Sequence, residues 1–122
     1  MRTILITLLL AVGLPAEERK PPSWLWIHAG VAAHALGSAA DGYTSWERIE
    51  LNPILRERTG RMQGRFYRAG VGVKAGEFAI STAAVYLIGR KWPGTRRWLG
   101  IIQMGRGAVY GGIAIRNELG RQ

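Results

Sequence analysis

The sequence predicts an all-α membrane protein: a three-transmembrane-helix bundle with a short interfacial helix, following an N-terminal signal peptide. Three observations predict it. First, apolar runs over 24–41, 69–89 and 98–115 are separated by arginine-rich connectors, the usual alternation of membrane spans and interfacial loops. Second, each run carries polar or charged residues at helical spacing. A soluble helix this apolar has little need of them, and a membrane helix holds them only where they face one another or water. Third, Trp24, Trp26, Trp46, Trp92 and Trp98 all fall near the ends of the runs, where interfacial aromatic belts form. The alternative for these tryptophans is a soluble core.

The chain has 122 residues, enough for one domain. Its 17 Lys and Arg against 8 Asp and Glu leave a net charge of +9. That charge invites a nucleic-acid reading, but no RNP, helix-turn-helix or zinc-finger pattern accompanies it. Basic residues flanking apolar helices serve anionic lipid headgroups equally well. The expected partners are therefore a bilayer with anionic headgroups and, possible alongside it, a second copy or a membrane partner protein, with no nucleic acid. Cysteine is absent, so disulfides and thiolate metal sites are excluded. No cofactor or metal is expected.

The N-terminus reads as an address. Met1 and Arg2 form a short positive region, Ile4 to Val12 an apolar one, and Leu14-Pro15-Ala16 precedes the charged run Glu17 to Lys20. This is the layout of a secretory signal peptide. It covers residues 1–16, with cleavage after Gly13 or Ala16. The apolar stretch is too short to cross a core of about 30 Å; the alternative is a retained short anchor. Residues 17–122 then form a single helical membrane domain.

The first span follows Pro21 and Pro22, which suit a helix start. Ala29, Ala33 and Gly37 recur every four positions along it, and such a face lets another backbone approach closely. The second span contains Gly72 and Gly76, and the third contains Gly107 and Gly111. Small-residue faces on all three point to a tight bundle.

The polar residues form stripes. His34, Ser38, Asp41, Ser45 and Arg48 step by four, three, four and three, which places them on one helix face. Lys74, Glu77 and Ser81 form a second stripe, and Gln103, Arg106, Tyr110 and Asn117 a third. A charge at mid-helix costs roughly 2.5–3.5 kcal/mol on an insertion scale. Lys74 and Glu77 must therefore pair with each other or with a neighbouring helix. Arg106 needs a counter-charge, for which Asp41 and Glu77 are the candidates. The plain account of these charges is interhelical pairing that sets register. The sharper one is an ion or proton pathway. His28 lies on a different face from His34, which disfavours a paired-histidine metal site.

Between the first two spans, Asn52-Pro53 reads as a cap and a first helical position. Pro53 to Arg58 would form a short interfacial helix ending near Gly60. Six arginines in this connector, with Arg116 and Arg121, give eight cations on one side against six on the other. That difference places the connector and the C-terminus in the cytoplasm. The expected location is the bacterial inner (cytoplasmic) membrane, multi-pass.

Asp41-Gly42-Tyr43-Thr44, followed by Glu50-Leu51-Asn52-Pro53, resembles the signature of DUF5658-type small bacterial integral membrane proteins. Those pair Asp-x-x-Thr at a helix end with Glu-x-Asn-Pro shortly after, then two further spans. The resemblance covers a dozen residues and the helix order. It implies a membrane protein of uncharacterised function and supplies no reaction. The signal-like N-terminus and the arginine-rich connector depart from that pattern. Physically, Asp41 and Thr44 lie one turn apart and can share a hydrogen bond, and Glu50 can accept from the restarted helix, whose dipole favours a carboxylate. This cluster is either a conformational lock at the membrane surface or a cation or headgroup site.

The candidate polar seam is thus His34, Ser38, Asp41, Thr44, Glu50, Asn52, Lys74, Glu77 and Arg106. No Gly-x-Ser-x-Gly, His-Glu-x-x-His or paired catalytic Asp motif is present. The expectation is a non-enzymatic multi-spanning protein acting through helix packing with itself or a partner. The alternative is a small transport or proton-coupling component that uses the intramembrane charges.

Overall fold

Helices account for every regular element among residues 20–120, the part of the chain that the computed structural model describes. There are three α-helices: α1 (Leu25–Ser45), α2 (Arg68–Lys91) and α3 (Arg96–Leu119). A single 3₁₀ turn, Pro93–Thr95, joins α2 to α3. The expected signal peptide lies outside the described residues.

Each helix outruns the apolar run that predicted it. Hydropathy marks only the middle, whereas the backbone ladder continues through polar residues until something stops it. In α1 the helix ends at Ser45: Trp46 turns out of it at ψ 127°, and Glu47, a non-glycine residue, follows at φ 61°. That left-handed conformation cannot continue a right-handed helix. In α2 the stop is Pro93, which locks the tight turn; Thr95 Oγ1 donates to the Trp92 carbonyl across 2.7 Å.

The expected interfacial helix at Pro53 to Arg58 does not form. Asn52 does cap, but it caps a turn: its Oδ1 accepts from Ile54 N at 3.0 Å, and Leu55 N donates to Asn52 O at 3.1 Å. The chain then extends and pairs across the connector. Glu57 N donates to Arg65 O, and Phe66 N to Arg48 O, both at 2.8 Å. Isolated antiparallel bridges join Ile49 to Arg65 and Arg56 to Phe66. Gly60 and Gly64, at φ 78° and 79°, make the reversals. A six-residue helix fixes many dihedrals for very few hydrogen bonds, so cross-connector pairing prevails. Phe66, fully buried, anchors this connector against Gly70 of α2.

The three helices alternate in direction. Trp26 of α1 lies against Gly100 of α3, and Asn117 Nδ2 donates to Thr44 Oγ1 near their other ends. The first and third helices therefore run parallel. Lys74, early in α2, reaches Asp41, late in α1, so α2 runs opposite to both. The core sits between α1 and α3, with α2 laid against that pair.

A seven-residue repeat builds this core. Ile27, Gly30, His34, Gly37, Asp41 and Thr44 are the buried positions that recur along α1 by threes and fours. On α3 the matching series is Gly100, Gln103, Gly107 and Ala114, all buried, with Tyr110 and Asn117 half-buried. An alternation of three and four is a 3.5-residue period, which keeps one stripe facing a partner when two helices wind left-handedly. The glycines make the approach close. A Cβ on Gly30 would lie 2.8 Å from Gly100 Cα, and one on Gly37 would lie 2.9 Å from Gly107 Cα.

This corrects the expected small-residue faces in part: on α1, Ala33 and Gly37 both meet Gly107 as expected. Gly107 packs as expected, but a Cβ on Gly72, Gly76 or Gly111 would meet nothing within 4 Å. The four-residue glycine spacing is not the one the packing uses. The seven-residue spacing of Gly30 with Gly37, and of Gly100 with Gly107, carries the contact.

Candidate functional site

The polar interior has three levels, all held between helices. At the connector end, Asn117 Nδ2 donates to Ser45 Oγ at 3.0 Å and to Thr44 Oγ1 at 3.3 Å. Ser45 Oγ in turn donates to Asp41 Oδ1 at 3.0 Å. Thr44 donates to the backbone carbonyl of Asp41 rather than to its carboxylate.

One level inward, Lys74 Nζ of α2 meets Asp41 Oδ2 of α1 at 2.5 Å. Their side chains are only 13% and 5% exposed. The ammonium also sits 4.2 Å from the centre of the Tyr110 ring on α3. One lysine from the middle helix thus touches both members of the parallel pair, through a carboxylate on one and a π-face on the other.

The third level holds Glu77, Arg106 and His34. Glu77 Oε1 pairs with Arg106 Nη2 across the α2–α3 contact. Glu77 Oε2 lies 3.7 Å from His34 Nε2. His34 is wholly buried, stacked on Tyr110 with ring centres 5.7 Å apart and edge-on to Phe78 at 5.1 Å. Neither of its ring nitrogens makes a hydrogen bond. Gln103, also buried, donates from Nε2 to the Ser81 carbonyl at 3.4 Å.

Of the predicted seam, the structure brings together His34, Asp41, Thr44, Lys74, Glu77 and Arg106. Each cation finds its acid on a different helix, and Arg106 takes Glu77 rather than Asp41. Ser38, half-buried, instead lines an apolar groove between α1 and α2. Glu50 and Asn52 stay in the connector, where Glu50 Oε1 accepts from Asn52 N at 2.8 Å. No restarted helix exists there for Glu50 to cap. Both residues nevertheless border a cavity of about 660 Å³ that opens at this end of the helices and also touches Asp41, Lys74 and Glu77.

Two features were not legible as site residues. Tyr110 belongs to the third stripe, but nothing in its spacing shows that it stacks on His34 and faces Lys74. At the opposite end, His28 Nδ1 and Tyr86 Oη are 2.5 Å apart, and Trp24 stacks on Tyr86 at 5.8 Å. Arg96 covers the Trp24 ring at 4.1 Å and donates to the Gly89 carbonyl at 3.0 Å. The clue was the clustering of aromatic and cationic residues at run ends, which does not name partners.

Among the described residues, no group of three His, Cys, Asp or Glu side chains could hold a metal ion. Compared with known families, curated proteins and solved structures, the chain matches none. One helix, α2, is long and apolar enough to cross a membrane, with mean hydropathy 1.4 in its apolar window.

Proposed function

We propose that this chain is a multi-spanning membrane protein whose three helices all cross the bilayer, and that it acts without catalysis, by helix packing with itself or a partner. The observation that carries the reading is the reversed distribution of polarity. Among the described residues, buried positions hold Asp41, His34, Gln103, Thr44 and glycines beside only four apolar side chains, Ile27, Phe66, Val85 and Ala114, while Leu36, Ile80, Leu87, Ile102, Val109 and Ile115 are more than half exposed. In water this arrangement would bury charge at great cost while leaving apolar surface wet. In lipid it is favourable, because exposed apolar residues meet acyl chains and charges meet each other.

Further features support it. Only 6% of the apolar window of α2 is buried, unlike the core helix of a soluble protein. Helices of 21 and 24 residues reach about 32 and 36 Å at 1.5 Å per residue, enough for a core of about 30 Å. Trp24, Trp26 and Trp98 gather at one end, with Trp46 and Tyr67, 4.7 Å apart, at the other. The pairing of every interior charge favours the structural account of the seam. The open apolar groove of about 770 Å³ between α1 and α2, walled by Ala35, Ala39, Gly42, Ala75 and Phe78, favours packing against another apolar element. The likeness to DUF5658-type proteins rests on the Asp41–Thr44 and Glu50–Pro53 motif residues and agrees with this reading. Location in a bacterial inner membrane, with the connector and C-terminus cytoplasmic, completes the proposal.

A second reading, transport or proton coupling, is favoured by one observation: the cavity at the connector end reaches Asp41, Lys74 and Glu77. Asp41→Asn and Glu77→Gln separate the two. Lower membrane abundance of both variants, with no ion flux from wild-type proteoliposomes, supports the packing role. Normal abundance with loss of a measurable wild-type flux overturns it.

A further inference from the structure

The cavity of about 660 Å³ at the connector end is lined by two arginines, Arg48 from the connector and Arg116 from the last turn of α3. Neither has an ion-pair partner among the described residues. The other cations close to the cavity are already neutralised: Lys74 by Asp41, and Arg106 by Glu77. The one remaining lining acid is Glu50, whose Oε1 is engaged with Asn52 N. With lining Glu77 already matched by Arg106 behind it, two arginines against one carboxylate leave the cavity one positive charge in excess. The same cavity has apolar walls, Val73 of α2 and Ile113 of α3 with Leu51 and Ile54 of the connector, and all four side chains are exposed. It is therefore a polar, cationic mouth continuous with an apolar cleft between α2 and α3, two helices that touch each other little.

We propose that this cavity binds one anionic glycerophospholipid, its phosphodiester held between Arg48 and Arg116 and an acyl chain laid along Val73 and Ile113. A phosphodiester carries a single negative charge, which matches the excess. Guanidiniums bind phosphate oxygens in a planar, bidentate fashion. Free phosphate would satisfy the arginines but not the apolar walls. The site rests on the membrane-spanning reading, since only a helix pair embedded in lipid presents that cleft to an acyl chain.

The test is native mass spectrometry of the full chain, released from detergent after incubation with phosphatidylglycerol or phosphatidylcholine. One phosphatidylglycerol adduct is expected on wild type, in preference to phosphatidylcholine. Arg48→Gln and Arg116→Gln should each weaken it about fivefold, and together about 25-fold, from the contribution of each basic residue near an anionic surface. Arg116→Lys should retain only part of the adduct, because an ammonium keeps the charge but not the bidentate contact. Arg61→Gln, in the connector but outside the cavity, should leave it unchanged. Helical circular dichroism checks that each variant is folded. Equal retention of the two lipids overturns the proposal, as does an equal loss in Arg61→Gln, which would mean diffuse charge attraction. Displacement of the lipid by excess inorganic phosphate also overturns it, by showing a site for the soluble anion. A chain that stays folded and monodisperse without detergent, and is released from membranes by carbonate, would instead refute the membrane reading itself.

Discussion

Lys74 and Asp41 are 33 positions apart in the chain, yet the ammonium lies 2.5 Å from the carboxylate in the least exposed ion pair of the described residues. The pair clamps the antiparallel helix α2 onto α1, and Tyr110 of α3 covers the same ammonium. Ser45 holds the second carboxylate oxygen. Asp41 is therefore the point at which all three helices and the end of α1 are tied together.

Removing one member of that pair leaves its partner charged and unmatched. Asp41→Asn or Lys74→Met alone should cost about 3–5 kcal/mol, the range for breaking a buried ion pair from one side. The double change to Asn and Met should cost clearly less than the sum of the two single changes. Thermal unfolding of detergent-solubilised protein measures this; strict additivity would show that the two charges do not interact.

Close approach of α1 to α3 depends on two glycine pairs seven residues apart. Gly37→Leu and Gly107→Leu should force the helices apart and lower stability by about 1–3 kcal/mol or more, the cost of overpacking. Gly72→Leu and Gly76→Leu, which meet open space, should be tolerated. Membrane-fraction abundance and melting temperature distinguish the two sets. Equal damage from both would mean that the four-residue glycine spacing on α2 makes a contact of its own.

Glu77 serves Arg106 and stands near His34. Glu77→Gln removes the only acid paired with Arg106 among the described residues and should destabilise by about 1–3 kcal/mol, the penalty for an unsatisfied polar group. The loss should be smaller than for Asp41→Asn, because the Glu77 and Arg106 side chains are about one-third exposed. Double-mutant analysis with Arg106→Gln gives the coupling energy directly; a null coupling would remove this pair from the account.

The chain has no cysteine, so single introduced thiols report topology without a background. Thr59→Cys in the connector and Thr95→Cys in the α2–α3 turn lie at opposite ends of α2. In intact cells a membrane-impermeant maleimide should label the second and spare the first. Labelling of both, or of the connector alone, would overturn the proposed three-span orientation.

Much of this arrangement is readable before any fold is known. Helical periodicity placed His34, Asp41 and Ser45 on one face, Lys74 and Glu77 on another, and Arg106 and Tyr110 on a third, because side-chain direction along a helix follows local geometry alone. The demand that buried charges be paired followed from desolvation. The connector departs from its local signal for a related reason: Asn-Pro is a good helix start, but local propensity says nothing about the hydrogen bonds that Arg48 and Arg65 offer from elsewhere in the connector.

What the sequence by itself determined was the helical class, the spacing of the polar residues, and the need for each embedded charge to find a partner. Which partner each found was decided only by the tertiary structure. Lys74 and Glu77, three residues apart, could have paired with each other on α2. They pair instead with Asp41 and Arg106 because the glycine repeats draw α1 and α3 together and set α2 over the seam between them. That repeat was present in the spacing of Gly30 with Gly37 and of Gly100 with Gly107, but hydropathy is blind to it. Most of its members are glycines and polar residues, with Ile27 and Ala114 the apolar exceptions, and they become a core only once two non-adjacent helices meet.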